Sequence, residues 1–190
     1  MLHFNIFKVY YFVLLCILLL FSCHTKPSER ANVAETSFKT TDSSLLFFKN
    51  LRQSYYDKEE NTVAKADIYR KQDRNKAQTM PIINLAIVHH WRNEKAYIMV
   101  EPSELLADEV RLEVTWQSPE GKEQGSYFFD FGDMEMHRKF ATSLYKSVEA
   151  EHVLMVKSGK KWLELMVKEE EKDIFRITMI DYLSLVNAAK

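Results

Sequence analysis

Along residues 110–117, Val110, Leu112, Val114 and Trp116 alternate with Arg111, Glu113, Thr115 and Gln117, and a period of two sends the two sets to opposite faces of a strand. One face is buried and the other is wet, which commits the chain around it to antiparallel sheet. The flanking stretches fit such a sheet. Apolar runs at 82–91 and 95–101, separated by Arg92-Asn93-Glu94, read as a hairpin. A turn at Ser118-Pro119-Glu120-Gly121 leads into a strand over 126–131, whose aromatics on both faces place it centrally. Residues 152–156 and 162–167 form a second hairpin about Lys157-Ser158-Gly159-Lys160, and after a charged turn at 168–172 a last strand covers 174–180.

Helices punctuate the strands. Gly132-Asp133 breaks the sheet and caps a helix over about 133–149, in which Met136, Phe140, Leu144 and Val148 recur every four residues as a core stripe. Asp181 caps a short closing helix with Leu183, Leu185 and Val186. Asp42-Ser43-Ser44 is a helix start, and Phe48, Leu51, Arg52 and Tyr55 follow at helical spacing, although the aromatic content of 45–56 leaves a strand open. Residues 57–62 are charged and turn-like, and 63–70 read as a short edge strand. The basic stretch 70–76 reads as a solvated loop, with phosphate headgroups as the sharper alternative. The sum is an α+β fold, predominantly antiparallel sheet or β-sandwich, with one central helix and a short C-terminal helix.

The first twenty-three residues carry an address. Lys8 and the amino terminus precede an unbroken apolar run over 9–21, and Leu20-Phe21-Ser22-Cys23 puts a small residue directly before a cysteine. The run is short against the roughly twenty residues that span a bilayer. The segment resembles bacterial lipoprotein signal peptides in their looser Bacteroidetes form, with Leu20, Ser22 and Cys23 at the matching positions and Phe21 departing from the pattern. That resemblance implies cleavage after Ser22 and lipidation of Cys23, and two or three acyl chains make a stable membrane anchor. It divides the chain into a signal peptide (1–22), a flexible tether (23–41) and one β-rich domain (42–190). In some such lipoproteins an acidic patch after the cysteine directs export outward. Only Glu29 stands there, which points to the outer membrane, facing the periplasm. An uncleaved single-pass anchor is the alternative.

Cys16 and Cys23 are the two cysteines. Signal removal takes the first and lipidation consumes the second, so stability rests on packing without a disulfide. The net charge of −1 argues against a nucleic-acid surface. Residues 24–41 hold only Val33 and Phe38 as large apolar side chains, too few to fold alone. From residues 140–143 through Trp162 to Tyr182-Leu183 the chain faintly resembles secreted β-sandwich modules of the VasI type, a likeness that bears on fold alone.

Catalytic and metal constellations find little support. His89 and His90 are neighbours on a strand and point to opposite faces, so they cannot share one metal ion. Asp133 and His137 are four apart, but Asp133 sits where an N-cap belongs. With four glycines and no phosphate loop, no cofactor is expected. No serine stands in a nucleophile elbow. Asp130 lies between Phe129 and Phe131, a setting that would raise its pKa, unless alternation sends Tyr127, Phe129 and Phe131 inward and Asp130 away. Trp116 belongs to an inward set, whereas Trp91 and Trp162 are candidates for exposed platforms. The expectation is a lipid-anchored, non-catalytic envelope module that meets an envelope protein or glycan through a sheet face or edge, with Trp91, Trp162, His89 and Asp130 as candidate contacts. An envelope hydrolase is the rival, and polar residues converging in a deep pocket around Asp130 or His89 would favour it.

Overall fold

Two four-stranded antiparallel sheets carry the fold in a computed structural model of the chain, which describes residues 38–187. The first is a meander, β1 (Tyr56–Asn61), β2 (Ala66–Lys71), β3 (Ile83–His90) and β4 (Lys95–Pro102), in that spatial order. In the second, β5 (Leu112–Gln117), β6 (Gln124–Phe129), β7 (Val153–Ser158) and β8 (Lys161–Leu165) lie in the order β6-β5-β7-β8. Helix α1 (Asp42–Phe47) precedes them and runs on through a π turn, Phe48–Arg52, and a 3-10 turn, Gln53–Tyr55. A one-turn α2 (Glu104–Ala107) joins the sheets, α3 (Met134–Glu149) links β6 to β7, and α4 (Glu169–Asn187) closes the domain. The fold is α+β and mostly antiparallel, as the alternation predicts.

The two sheets and the helices share one core. Ile87 and Ile98 of the first sheet, Val114, Phe129 and Val156 of the second, Phe140 and Leu144 of α3, and Met179 and Tyr182 of α4 all belong to it. Helix α3 lies against β4 and β6, and α4 against β3, β4 and α3. The expected stripe of α3 is confirmed at Phe140, Leu144 and Val148, which are buried, with Met136 packed at its margin. Asp133 is its N-cap, accepting from the Glu135 and Met136 N–H groups at 3.1 and 3.0 Å. His137, one turn on, accepts the Val100 N–H at 3.0 Å and so occupies a donor of edge strand β4.

The structure departs from the sequence expectations at both ends of the domain. Residues 57–62 form most of β1 rather than a turn: Asp57, Lys58, Glu59 and Glu60 are exposed on an edge strand, where charge is tolerated and deters further pairing. That puts β2, expected at an edge, inside the sheet between β1 and β3. Residues 174–180 are helical, not a strand, and the C-terminal helix is long. Phe175, Thr178, Met179, Tyr182, Leu185 and Val186 are buried at spacings of three and four, a period visible only across the whole of α4. Glu169, Glu170 and Glu171 sit in its first turn, where the helix dipole favours them. Asp181 is therefore a mid-helix residue and no cap.

Residues 38–41, the last of the expected tether, pack on the domain. Lys39 bridges to Lys95, the Phe38 and Tyr97 rings meet at a tilt with centroids 5.0 Å apart, and Thr40 N–H donates to Glu94 O at 2.8 Å. Thr41 caps α1 in a reciprocal capping box with Ser44. The 45–56 stretch resolves as helix up to Tyr55. Phe48 faces in, against Tyr56 and Tyr69, while Leu51 and Tyr55 face out. The Cys23 position and residues 1–37 lie outside the described residues.

In the second sheet, Trp116 lies over its cross-strand partner Gly125 and stacks on His152 at 4.4 Å. A Cβ on Gly125 would come within 2.7 Å of the indole nitrogen. Gly125→Ala is expected to destabilise the domain by roughly 1–3 kcal/mol through this clash, outweighing the usual gain from removing a strand glycine. Urea unfolding measures the loss, and pairing the change with Trp116→Val should recover most of it.

Candidate binding face

The core side of the second sheet uses Leu112, Val114, Phe129, Leu154, Val156 and Leu165. Its other side carries the alternate residues. Gln117, Gln124, Ser126, Phe128, Val153, Lys157, Trp162 and Glu164 are exposed there, with Glu113, Thr115 and Met155 half-buried between them. The strand over 126–131, expected at the centre, is instead edge strand β6, and its outward aromatic Phe128 is 51% exposed. A strand with aromatics on both faces looks central by sequence. Here one of those faces is simply open.

Across this face runs one row of side chains. Glu113 is the register partner of Phe128, and Lys157 that of Trp162. Lys157 Nζ lies 3.1 Å from Glu113 and 5.9 Å from the Trp162 ring centroid. At the other end the Arg111 guanidinium stands 5.6 Å from the Phe128 ring and is ion-paired with Asp130. Asp130, Arg111 and Phe128 on one side, and Glu113, Lys157 and Trp162 on the other, are each linked by an ion pair and a cation–π contact, and the cross-strand neighbours Phe128 and Glu113 join the two groups into one row across four strands. Its aromatic ends are three inter-strand gaps apart, about 14 Å at about 4.8 Å per gap.

The row does little for folding. Exposed ion pairs contribute about 0–1 kcal/mol each, and Trp162 keeps 42% of its surface in water. What the pairs do is hold the two rings and the charges in fixed positions. That is pre-organisation for a ligand with apolar faces and polar edges.

Two of the four expected contact residues meet at this face. Trp162 closes one end of the row, and Asp130 the other, turned outward as alternation requires while Phe129 is buried. An aromatic surround for the Asp130 carboxylate is not found; its partner is Arg111, whose pKa the Asp130 hydrogen bond raises. Arg111, Glu113, Phe128 and Lys157 were missed by the sequence reading. The signal lay in the polar half of the 110–117 alternation, which names an exposed face without saying what it is for.

His89 and Trp91 belong to the first sheet. Trp91 sits in the β3–β4 turn, 48% exposed, its N–H donating to Lys65 O at 3.2 Å. His89 is buried on the core side beside its register partner Asp67, which accepts from Tyr69 Oη at 3.2 Å and pairs with Lys58 at 3.1 Å. Its Nδ1 has no hydrogen-bond partner among the described residues. His90 points to the opposite face, and among the described residues no three His, Cys, Asp or Glu side chains are placed to hold a metal ion. A recess among the described residues lies away from His89, between Ile83, Leu85, Met166 and Phe175, with Asn75 donating to Glu171 across its rim at 2.8 Å. The basic stretch 70–76 is engaged internally. Arg70 pairs with Glu59 and Glu101, Lys71 with Asp73, and Arg74 and Lys76 with Asp57.

Burial lowers the pKa of His89, with Lys49 and His90 acting in the same direction and Asp67 against it, and burial also lowers that of His137. A histidine depressed in the folded state contributes stability above its unfolded value, near 6.5. That contribution is lost as the pH falls through the unfolded and then the folded value. For His137 the loss has a visible cause, since a protonated Nδ1 can no longer accept the Val100 N–H. The domain is expected to unfold at lower urea at about pH 5 than at about pH 7.5, and His89→Leu should flatten part of that dependence.

Comparisons with protein-family models, with curated proteins and with solved structures find no match to the chain. Among the described residues no helix is long and apolar enough to cross a membrane.

Proposed function

We propose that the chain is a lipid-anchored cell-envelope protein whose domain binds another envelope component on the open face of its second sheet. The observation that carries the reading is the ordered row from Asp130 to Trp162, which leaves two aromatic rings exposed on one uncovered face. Aromatic and arginine anchors of this kind dominate recognition surfaces. The flat face suits an extended protein segment or a glycan, whose sugar rings stack on aromatic side chains. The sequence supports the address through the apolar run over 9–21 and the Ser22-Cys23 pair, with the anchor at Cys23 in the outer membrane facing the periplasm. No catalytic role is assigned: Asp130 is tied to Arg111 on the surface, and His89 is enclosed by core.

Two measurements test the reading on protein from its own envelope. Mass spectrometry of the N-terminal peptide should find it beginning at an acylated Cys23; a retained Met1 or an unmodified Cys23 contradicts the anchor. Chemical crosslinking in intact envelope followed by affinity capture should return a discrete partner, and capture of the domain alone contradicts the binding role.

A further inference from the structure

A second exposed surface lies on the helical run that opens the domain. Residues 42–55 span about 20 Å at 1.5 Å per residue, and their side chains sort into rows four apart. Ser44, Phe48 and Arg52 face the domain. Ser44 Oγ donates to Leu185 O at 2.8 Å, Phe48 packs on Tyr56 and Tyr69, and Arg52 Nε donates to Asp181 at 2.8 Å. The adjoining row, Phe47, Leu51 and Tyr55, is turned to solvent, with Leu46 further round the helix. These four are 51, 57, 53 and 62% exposed, respectively. Exposed apolar side chains scattered singly are ordinary, whereas four aligned on one helix face mark a contact surface.

The path of the chain says what that surface meets. Thr41, the cap of α1, follows Cys23 by eighteen residues, which reach about 60 Å at full extension and far less when relaxed. Residues 38–41 are joined to the β3–β4 hairpin, so the tether brings the hairpin tip and this helix to the membrane side of the domain, and of the two the helix carries the apolar row. Whether the chain is held by acylated Cys23 or by an uncleaved apolar run over 9–21, it leaves the lipid just upstream of α1. The exposed row fits the headgroup boundary: Phe and Leu for the acyl edge, and a Tyr whose ring is apolar and whose hydroxyl is wet. Arg52 and Lys71 stand 5.4 and 5.3 Å from the Tyr55 ring and hold it in place at the far end of the row.

We infer that the Leu46, Phe47, Leu51 and Tyr55 face of the first helix rests on the surface of the membrane that anchors the chain. The inference rests on the anchored reading of the N-terminal segment. One apolar helix face binds a bilayer weakly and reversibly, but a tether this short holds it at high local concentration, so weak affinity suffices. The domain is then oriented as well as retained, and the second sheet carries its open face on a different element.

The test uses the full chain purified from its own membranes and reconstituted in phosphatidylethanolamine–phosphatidylglycerol vesicles containing brominated phosphatidylcholine, which quenches only tryptophan in contact with lipid. Phe47→Trp adds a reporter on the helix face and Val153→Trp one on the open sheet face. Both replace exposed side chains, and unchanged thermal unfolding checks that they fold. The expected result is a blue-shifted Phe47→Trp signal that loses most of its added emission to bromine, with Val153→Trp unquenched. Equal quenching at both positions, or none at Phe47→Trp, overturns the inference; so does concentration-dependent self-association that shields Phe47→Trp without lipid, which assigns the face to a second copy. The mass of the N-terminal peptide separates the two failures. An acylated Cys23 with an unquenched Phe47→Trp removes the membrane contact and keeps the lipoprotein, whereas an unmodified Cys23 with quenching removes the lipoprotein and keeps the contact.

Discussion

Asp181→Ala is expected to lower the stability of the domain by about 3 kcal/mol, toward the lower end of what removing one partner from a buried charged cluster costs. Its carboxylate, 5% exposed on α4, accepts from Arg52 Nε at 2.8 Å and from Tyr56 Oη at 2.6 Å. These bonds fasten the opening helix and β1 to the closing helix, so one group joins the two ends of the described chain. Removing it strands the buried Tyr56 hydroxyl, at the cost of an unsatisfied polar group. Arg52 suffers less, because its side chain is 30% exposed and water can replace the lost partner. Burial and the Asp181 bond push the Tyr56 pKa well above the ordinary tyrosine range, so the hydroxyl remains a donor at any physiological pH. Urea unfolding of Asp181→Ala, Asp181→Asn and Tyr56→Phe resolves the contributions. The order of loss should be Ala, then Asn, then Phe, and a change below about 1 kcal/mol for Asp181→Ala would show the cluster to be dispensable.

The second large effect falls on binding and spares the fold. Phe128→Ala with Trp162→Ala removes both aromatic ends of the open-face row, and capture of the envelope partner should weaken by at least tenfold, since central aromatic anchors often cost 2 kcal/mol or more apiece on truncation. Both side chains are about half exposed and belong to the outward set of their strands, so the unfolding temperature should stay within a degree or two of the parent. The two quantities moving apart is the signature of a recognition surface. If capture and stability fell together, the rings would be structural. Glu113→Gln and Lys157→Met, which break the 3.1 Å pair between them, should give smaller losses that diminish further in salt.

The strands with clear alternation were legible in the sequence because a half-buried antiparallel strand writes its burial directly as period two. Residues 110–117 and both hairpins follow it, and Gly121 and Gly159, with φ of 71° and 58°, sit in the turns that bound them. The misread segments share a different property: the deciding partner was remote. The charged β1 is a strand only because β2 pairs with it, and α4 is a helix because a core stripe extends beyond the β-branched stretch at its middle. The binding face was half legible. Trp162 and Asp130 were named as contacts, but their membership of one row depends on the order β6-β5-β7-β8, which brings the two hairpins of the second sheet together around β5 and β7. No local pattern encodes that adjacency. His89, also named as a contact, is buried beside Asp67 because it falls in the inward set of β3 with Leu85 and Ile87.

In the proposed function the open sheet face is the working surface of a tethered domain. Site-specific photo-crosslinking in intact envelope tests it most directly, with a benzophenone amino acid placed at Phe128, at Trp162 and, on the first sheet, at Trp91. The prediction is one shared adduct from positions 128 and 162 and none of that mass from 91. An adduct from 91 alone, or silence at both positions of the row, would contradict it.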